Sequence, residues 1–221
     1  MKIGTYFAAA ATAAVLAIGG QASATTVDLT FEGFEAGEQT VYLVIPGPST
    51  DGYVRAGGFT MNDGTSDFVA WCIDLHAQIG NAEYELSRPS QITDDIENGL
   101  NRLFTSFYDV ALSSALNSAA FQVAIWELVY DDGLDLSMGD FRASGNSGVT
   151  SLAQDWLGSL AGVVGAYDLT FFYSGASQDL VSGTPSQNPG PGPVPVPAGV
   201  VLLLGGLGAI GALRRRAAKA A

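Results

Sequence analysis

The alternation of apolar and polar residues changes character twice along the chain. From residue 25 to about 90 it favours strands. Thr26-Val27-Asp28-Leu29-Thr30-Phe31 alternates with a period of two, and Val41-Tyr42-Leu43-Val44-Ile45 is a run of strand formers. Pro46-Gly47-Pro48 and Asp51-Gly52 are turn signals, and Gly57 to Met61 suggests a further strand ended by Asn62-Asp63-Gly64. Asp67 to His76 is the strongest strand candidate. The period then becomes helical. Thr93 can cap a helix from Asp94 to about Phe107, whose first turn is acidic. A second helix is expected from about Ser114 to Tyr130, closed by Asp131-Asp132-Gly133 with the glycine as a left-handed cap. A third is expected from Val149 to Val163, and Ala166 to Tyr173 returns to strand. Strands, helices and a final strand predict an α+β fold, a β-sandwich or barrel with a helical insertion.

The two ends follow a different grammar. Met1-Lys2, an apolar Ala-rich stretch from Phe7 to Ile18 and Ala22-Ser23-Ala24 make an N-terminal signal peptide, with cleavage after Ala24. Near the other end, Asn188-Pro189-Gly190-Pro191-Gly192-Pro193 reads as a stiff linker. An apolar segment over residues 198–213 follows, and then Arg214, Arg215 and Arg216. As a helix that segment reaches roughly 24 Å, a thin membrane span. The arginines mark its cytoplasmic side, which agrees with export of the main domain. The chain thus divides into a signal peptide (1–24), an exported domain (25–183), a linker with a sorting motif (184–197), a transmembrane segment (198–213) and a basic tail (214–221).

The run VPVPAGVVLLLGGLGAIGALRRR resembles the VPLPA-CTERM tail, a variant of the PEP-CTERM sorting signals of Gram-negative bacteria, with Val196 where Leu is usual. The resemblance implies recognition by an exosortase near Val194, Pro195, Val196, Pro197 and Ala198. It also implies transient anchoring in the inner membrane, then release or transfer to the cell surface or an exopolysaccharide matrix.

Charge narrows the partners. The 22 acidic residues all lie between Asp28 and Asp179, where Arg55, Arg88, Arg102 and Arg142 are the only basic ones, so this domain carries a net charge of −18 and no lysine. Such a surface repels nucleic acid and anionic lipid. Asp131 to Asp140 lacks the alternating order of a known calcium loop, and no metal or cofactor is expected.

Two segments carry the candidate chemistry. Cys72 is the only cysteine, in a chain directed to an oxidising compartment, so it cannot form a disulfide within the chain. If Phe68 to His76 is one strand, Val69, Trp71, Ile73 and Leu75 form an apolar face, and Cys72, Asp74 and His76 share the other. Ala119 to Val129 is apolar almost all round, with Gln122 near its middle and Trp126 one turn further on the same face. A buried amide needs a hydrogen-bonding partner or a covalent one.

Trp71-Cys72-Ile73-Asp74 and Gln122-Val123-Ala124-Ile125-Trp126, in this order, resemble the two halves of the thioester domain of bacterial surface adhesins. The resemblance implies an internal Cys72–Gln122 thioester, shielded by Trp71, Phe121 and Trp126. It would acylate a surface-protein amine or a polysaccharide hydroxyl, without enzymatic turnover. His76 would assist transfer to hydroxyls. A second reading is a non-catalytic exopolysaccharide or biofilm matrix protein, with Cys72 as a buried small hydrophobe and Gln122 as a hydrogen-bonded core amide. A third, a cysteine hydrolase using Cys72, His76 and Asp74, meets an obstacle: positions four apart on a strand are roughly 13 Å apart.

Overall fold

The computed structural model describes residues 25–47 and 51–187. The expected signal peptide, sorting motif, membrane segment and basic tail lie outside the described residues.

Nine strands and three helices make up the described domain, in the order β1 (Thr26–Phe34), β2 (Gln39–Val44), β3 (Gly52–Ala56), β4 (Phe59–Asn62), β5 (Asp67–Cys72), β6 (Ala82–Glu85), α1 (Asp94–Ala111), α2 (Ala115–Tyr130), β7 (Arg142–Ser144), α3 (Ser147–Gly158), β8 (Tyr167–Phe172) and β9 (Leu180–Pro185). The fold is α+β, with the helices inserted between β6 and β8. The larger sheet is antiparallel in the order β6-β1-β4-β5-β9-β8, and the smaller runs β3-β2-β7. The large sheet curls until its edges meet. Glu85, at the end of β6, and Tyr173, just after β8, exchange both backbone hydrogen bonds, at 2.8 and 2.9 Å. That single bridge brings the sheet to the verge of a barrel and hides part of each exposed edge.

The helices begin where the sequence provides caps. Thr93 accepts the Ile96 amide with its side chain, Ser114 accepts that of Asn117, and Asn146 that of Val149. The bounds of α1 and α3 and the cap of α2, though not its end at Tyr130, depart from the sequence reading. Helix α1 continues to Ala111, because Leu103, Phe104 and Ala111 keep an apolar stripe against the core. Helix α2 ends on Asp131 in extended conformation, without a left-handed Gly133. There the Asp131 carboxylate takes over as acceptor for the Gly133, Asp140 and Phe141 amides and organises the following loop. Helix α3 is earlier and shorter than Val149–Val163.

Helix α2 is the centre of the molecule. It packs against α1, α3, both strands of the β2–β3 hairpin and β5. Ten consecutive residues, Ser118 to Glu127, are buried, which is why this segment shows no polar face.

Candidate functional site

Strand β5 delivers Trp71 and Cys72 to the interior and then stops. The expected strand through His76 is therefore corrected. The Asp74 carboxylate accepts the His76 backbone N–H at 2.8 Å, a local turn that competes with the sheet ladder. As a result Trp71, Cys72 and Ile73 are all fully buried, where strict alternation would have turned Cys72 away from the apolar face. Exposed His76 sits edge-on to the Tyr130 ring at 5.9 Å, and the Cys72 thiol donates instead to the Asp74 carbonyl at 3.0 Å.

Cys72 reaches Gln122 through the logic of an interrupted sheet. On its β9 side the ladder bond belongs to the next residue, Ile73, whose N–H donates to the Asp179 carbonyl at 2.9 Å. The N–H and C=O of Cys72 therefore face the β4 side, since successive residues alternate in direction. Strand β4 is absent there, because its first residue, Phe59, already pairs with Ala70. The Gln122 side chain takes the missing strand's place. The Cys72 N–H donates to Gln122 Oε1 at 3.0 Å, and Gln122 Nε2 donates to the Cys72 carbonyl at 2.8 Å. This two-point clasp joins residues 50 apart in sequence and fixes which end of the amide is oxygen.

An aromatic shell surrounds the clasp. The Trp71 and Phe121 rings lie 4.5 Å apart, and Phe104 meets Phe121 edge-on at 5.1 Å. Gly58 makes room for Trp71: a Cβ there would lie 2.8 Å from the indole. Trp126 is 2% exposed, and its indole N–H, like that of Trp71, has no hydrogen-bond partner.

Burial dominates the electrostatics. It pushes the Cys72 thiol up to about 12, with the Asp74 and Asp179 carboxylates adding to the rise, while contacts to Trp126 and the Asp74 backbone oppose it. The hydrolase reading lacks its geometry, because the thiol is directed at the Asp74 carbonyl while His76 lies against the Tyr130 ring. Burial likewise raises the Tyr130 hydroxyl and the Asp179 carboxyl above their usual ranges. Tyr130 accepts the Leu75 N–H at 2.8 Å and donates to the Ile73 carbonyl at 3.4 Å, holding the segment after Cys72 from α2. Neither Tyr130 nor Asp179 stands out in the sequence, because the partners of Tyr130 lie 55 and 57 positions away and Asp179, though it accepts the nearby Ser174 N–H, meets Gln91 88 positions away. The i+8 spacing of Gln122 and Tyr130 along one helix was the available signal.

Glu127, on the turn after Trp126, is also fully buried. Its Oε1 accepts the Asp135 amide at 2.9 Å and its Oε2 has no partner, and burial pushes it up to about 7. Among the described residues no group of three or more His, Cys, Asp or Glu side chains is arranged to hold a metal ion. The carboxylates of Asp131 and Asp135 are occupied with backbone amides of their own loop, which hold both below the usual range, with the Ser137 hydroxyl the largest contributor at Asp135.

No protein-family profile matches the sequence, and no characterised protein is similar to it at the sequence level. Two solved structures are loosely similar in chain path. One is the N-terminal thioester domain of a surface protein from Clostridium perfringens, in a cysteine-to-alanine mutant form (TM-score 0.43, 10% identity, covering 66% of this chain and 98% of that one). The other is the N-terminal domain of the Streptococcus pyogenes pilus tip adhesin Cpa (TM-score 0.40, 15% identity, covering 71% and 97%).

Proposed function

We propose that this is an exported surface protein that binds a partner covalently through an internal thioester between Cys72 and Gln122. The observation that carries the reading is the two-point clasp between the Gln122 amide and the Cys72 backbone inside an aromatic shell. It holds the electrophilic carbon beside the cysteine with its oxygen already on a hydrogen-bond donor. As the sulfur attacks, charge develops on Oε1, and the Cys72 N–H at 3.0 Å is in place to stabilise it. The thiol turns from the Asp74 carbonyl towards the amide carbon, a C–S bond forms, the C–N bond breaks, and the thiol proton leaves with the nitrogen as ammonia. Buried aromatic walls then keep water from the acyl group. An amine or hydroxyl arriving later takes the acyl group and returns the proton to sulfur, once per molecule, which is covalent capture without turnover.

Export and display rest on the two ends of the chain. Signal cleavage after Ala24 and exosortase processing near Val194 to Ala198 would leave the mature domain on the surface or in the matrix of a Gram-negative cell. Peptide mapping of surface-extracted protein tests this: a start at Thr25 and no peptide containing Arg214-Arg215-Arg216 are expected.

The thioester is tested by intact mass. The purified domain, kept from amine buffers, should weigh one ammonia less than its sequence and resist thiol alkylation. Methylamine should add at Gln122 and free the Cys72 thiol. A full-mass native domain sinks the covalent reading. It would favour the matrix-protein reading, which has one specific observation behind it: both polar atoms of the Gln122 amide are already satisfied by Cys72, as a purely structural core amide requires.

A further inference from the structure

Strand β8 lies at one end of the six-stranded sheet, so one of its edges has no strand beside it. That edge is held at two points. Just beyond the strand, Tyr173 exchanges both backbone hydrogen bonds with Glu85. At its start, the Asn101 side chain clasps Tyr167, accepting its N–H at 3.1 Å and donating to its carbonyl at 2.7 Å. Residues 167 and 173 both face this edge. Backbone direction alternates along a strand, so Leu169 and Phe171 turn their N–H and C=O to it as well. No described strand meets them, and a slot of about 240 Å³ opens there between β8 and the segment of Leu86, Ser87 and Arg88. Two open rungs beside apolar side chains are a template for strand pairing. Arg88 is the one cation of the slot, and Asp94 and Glu97 already engage it, so it does not guard the edge.

The pattern of donors selects the occupant. Rungs two residues apart take a segment that offers its backbone at alternate positions. Pro193-Val194-Pro195-Val196-Pro197 supplies an N–H only at Val194 and Val196. With both valines turned to β8, all three prolines face outward, the placement in which a sheet edge tolerates proline. The new edge then lacks donors and recruits no further strand. The tether is long enough. The chain leaves β9 beside the clasped end of β8, where the Ser186 N–H donates to the Ala166 carbonyl at 2.9 Å. From Gln187 to Val194 the extended proline conformation spans up to roughly 22 Å. The free edge lies two strand spacings from β9, roughly 10 Å. The segment carries no charge, so the acidic domain does not repel it. We infer that Val194-Pro195-Val196 pairs with the free edge of β8, the two valines bonding to the backbone of Leu169 and Phe171, and so extends the large sheet by one strand. The pairing is independent of the thioester. A protease acting on these residues has to wait for the strand to peel away, so the docked tail delays its own processing.

Amide hydrogen exchange, read residue by residue on the full chain in lipid nanodiscs, tests the pairing. Wild type is compared with the double variant Val194→Pro, Val196→Pro. That variant removes the two donors, keeps the segment apolar and proline-like, and leaves the described domain untouched. Exchange at Leu169 and Phe171 should rise roughly tenfold in the variant. Thr170, which pairs with Ser182 on the other side of the strand, should exchange at the same rate in both chains. Equal rates at Leu169 and Phe171 in the two chains would overturn the pairing. Protection of Leu169 and Phe171 that grows with protein concentration would also overturn it, by assigning the edge to a second copy.

Discussion

A primary amide inside an apolar helix must be matched at both its oxygen and its nitrogen, and Gln122 is matched at both by one residue, Cys72. This makes the consequences of replacing either residue different. Gln122→Ala leaves the Cys72 N–H and C=O buried without partners, at roughly 1–3 kcal/mol for each unmet group. Cys72→Ala keeps the backbone clasp and loses only the bond. If the bond is present, it closes a loop of 50 residues, and by analogy with a disulfide its loss should cost roughly 4 kcal/mol. Denaturant unfolding of both variants checks this, and abolition of the mass deficit in each checks the bond itself. Glu127 offers a second residue-scale prediction. Its pKa is raised from 4.5 to about 7 in the folded state, so folding favours its protonated form. That contribution is complete below about 4.5 and is lost as pH rises through about 7, with a size on the order of 3 kcal/mol. Glu127→Gln, which stays neutral, should therefore flatten the fall in melting temperature across that window.

Helix α2 and strand β5 bring the site together, and both depend on contacts with small side chains. The Ser114 side chain caps α2, so Ser114→Ala should cost about 1 kcal/mol and loosen the first turn of the helix that carries Gln122. Gly58 stands where any Cβ would press into Trp71, and its N–H donates to the buried Ser118 hydroxyl at 2.9 Å. Gly58→Ala should push the indole or the backbone aside, lower stability by roughly 1–3 kcal/mol and reduce the fraction of molecules with the mass deficit. Thermal melts and intact mass on the same sample separate the two effects: a stable variant with an unchanged deficit would show that Trp71 plays no part in placing Cys72. The period-two and capping signals for β1, β2, β4, α1 and α2 were legible because they are local. Strands β3, β6, β7 and β9 were not read in advance. Each is short, and β9 breaks its pattern with Gly183 and Pro185, so these strands exist because a neighbour offers a pairing edge.

For the molecule as a whole, a charge of −18 with no lysine between Asp28 and Asp179 has two effects. Self-repulsion opposes the compact state, so moderate salt should stabilise it. Raising sodium chloride from about 10 mM to about 150 mM shortens the screening length from roughly 30 to 8 Å and should raise the melting temperature. A melting temperature that does not move with salt would mean that the carboxylates are too dispersed to repel one another effectively. The second effect is chemical. If the proposed thioester forms, a domain without lysine cannot spend its acyl group on a lysine of a neighbouring copy.

By itself the sequence determined the α+β class, the starts of α1 and α2, the acidity and the identity of the two residues at the centre, because periodicity, caps and an odd buried polar group are written locally. Their meeting was a different matter. Phe68 to His76 reads as one strand, and only the Asp74 turn, together with the late start of β4, ends it at Cys72 and exposes that residue's backbone to Gln122. The places of Tyr130 and Asp179 were likewise decided by packing. Each depends on which segment fills the space beside it, and that is settled only when distant parts of the chain compete for the same buried hydrogen bonds.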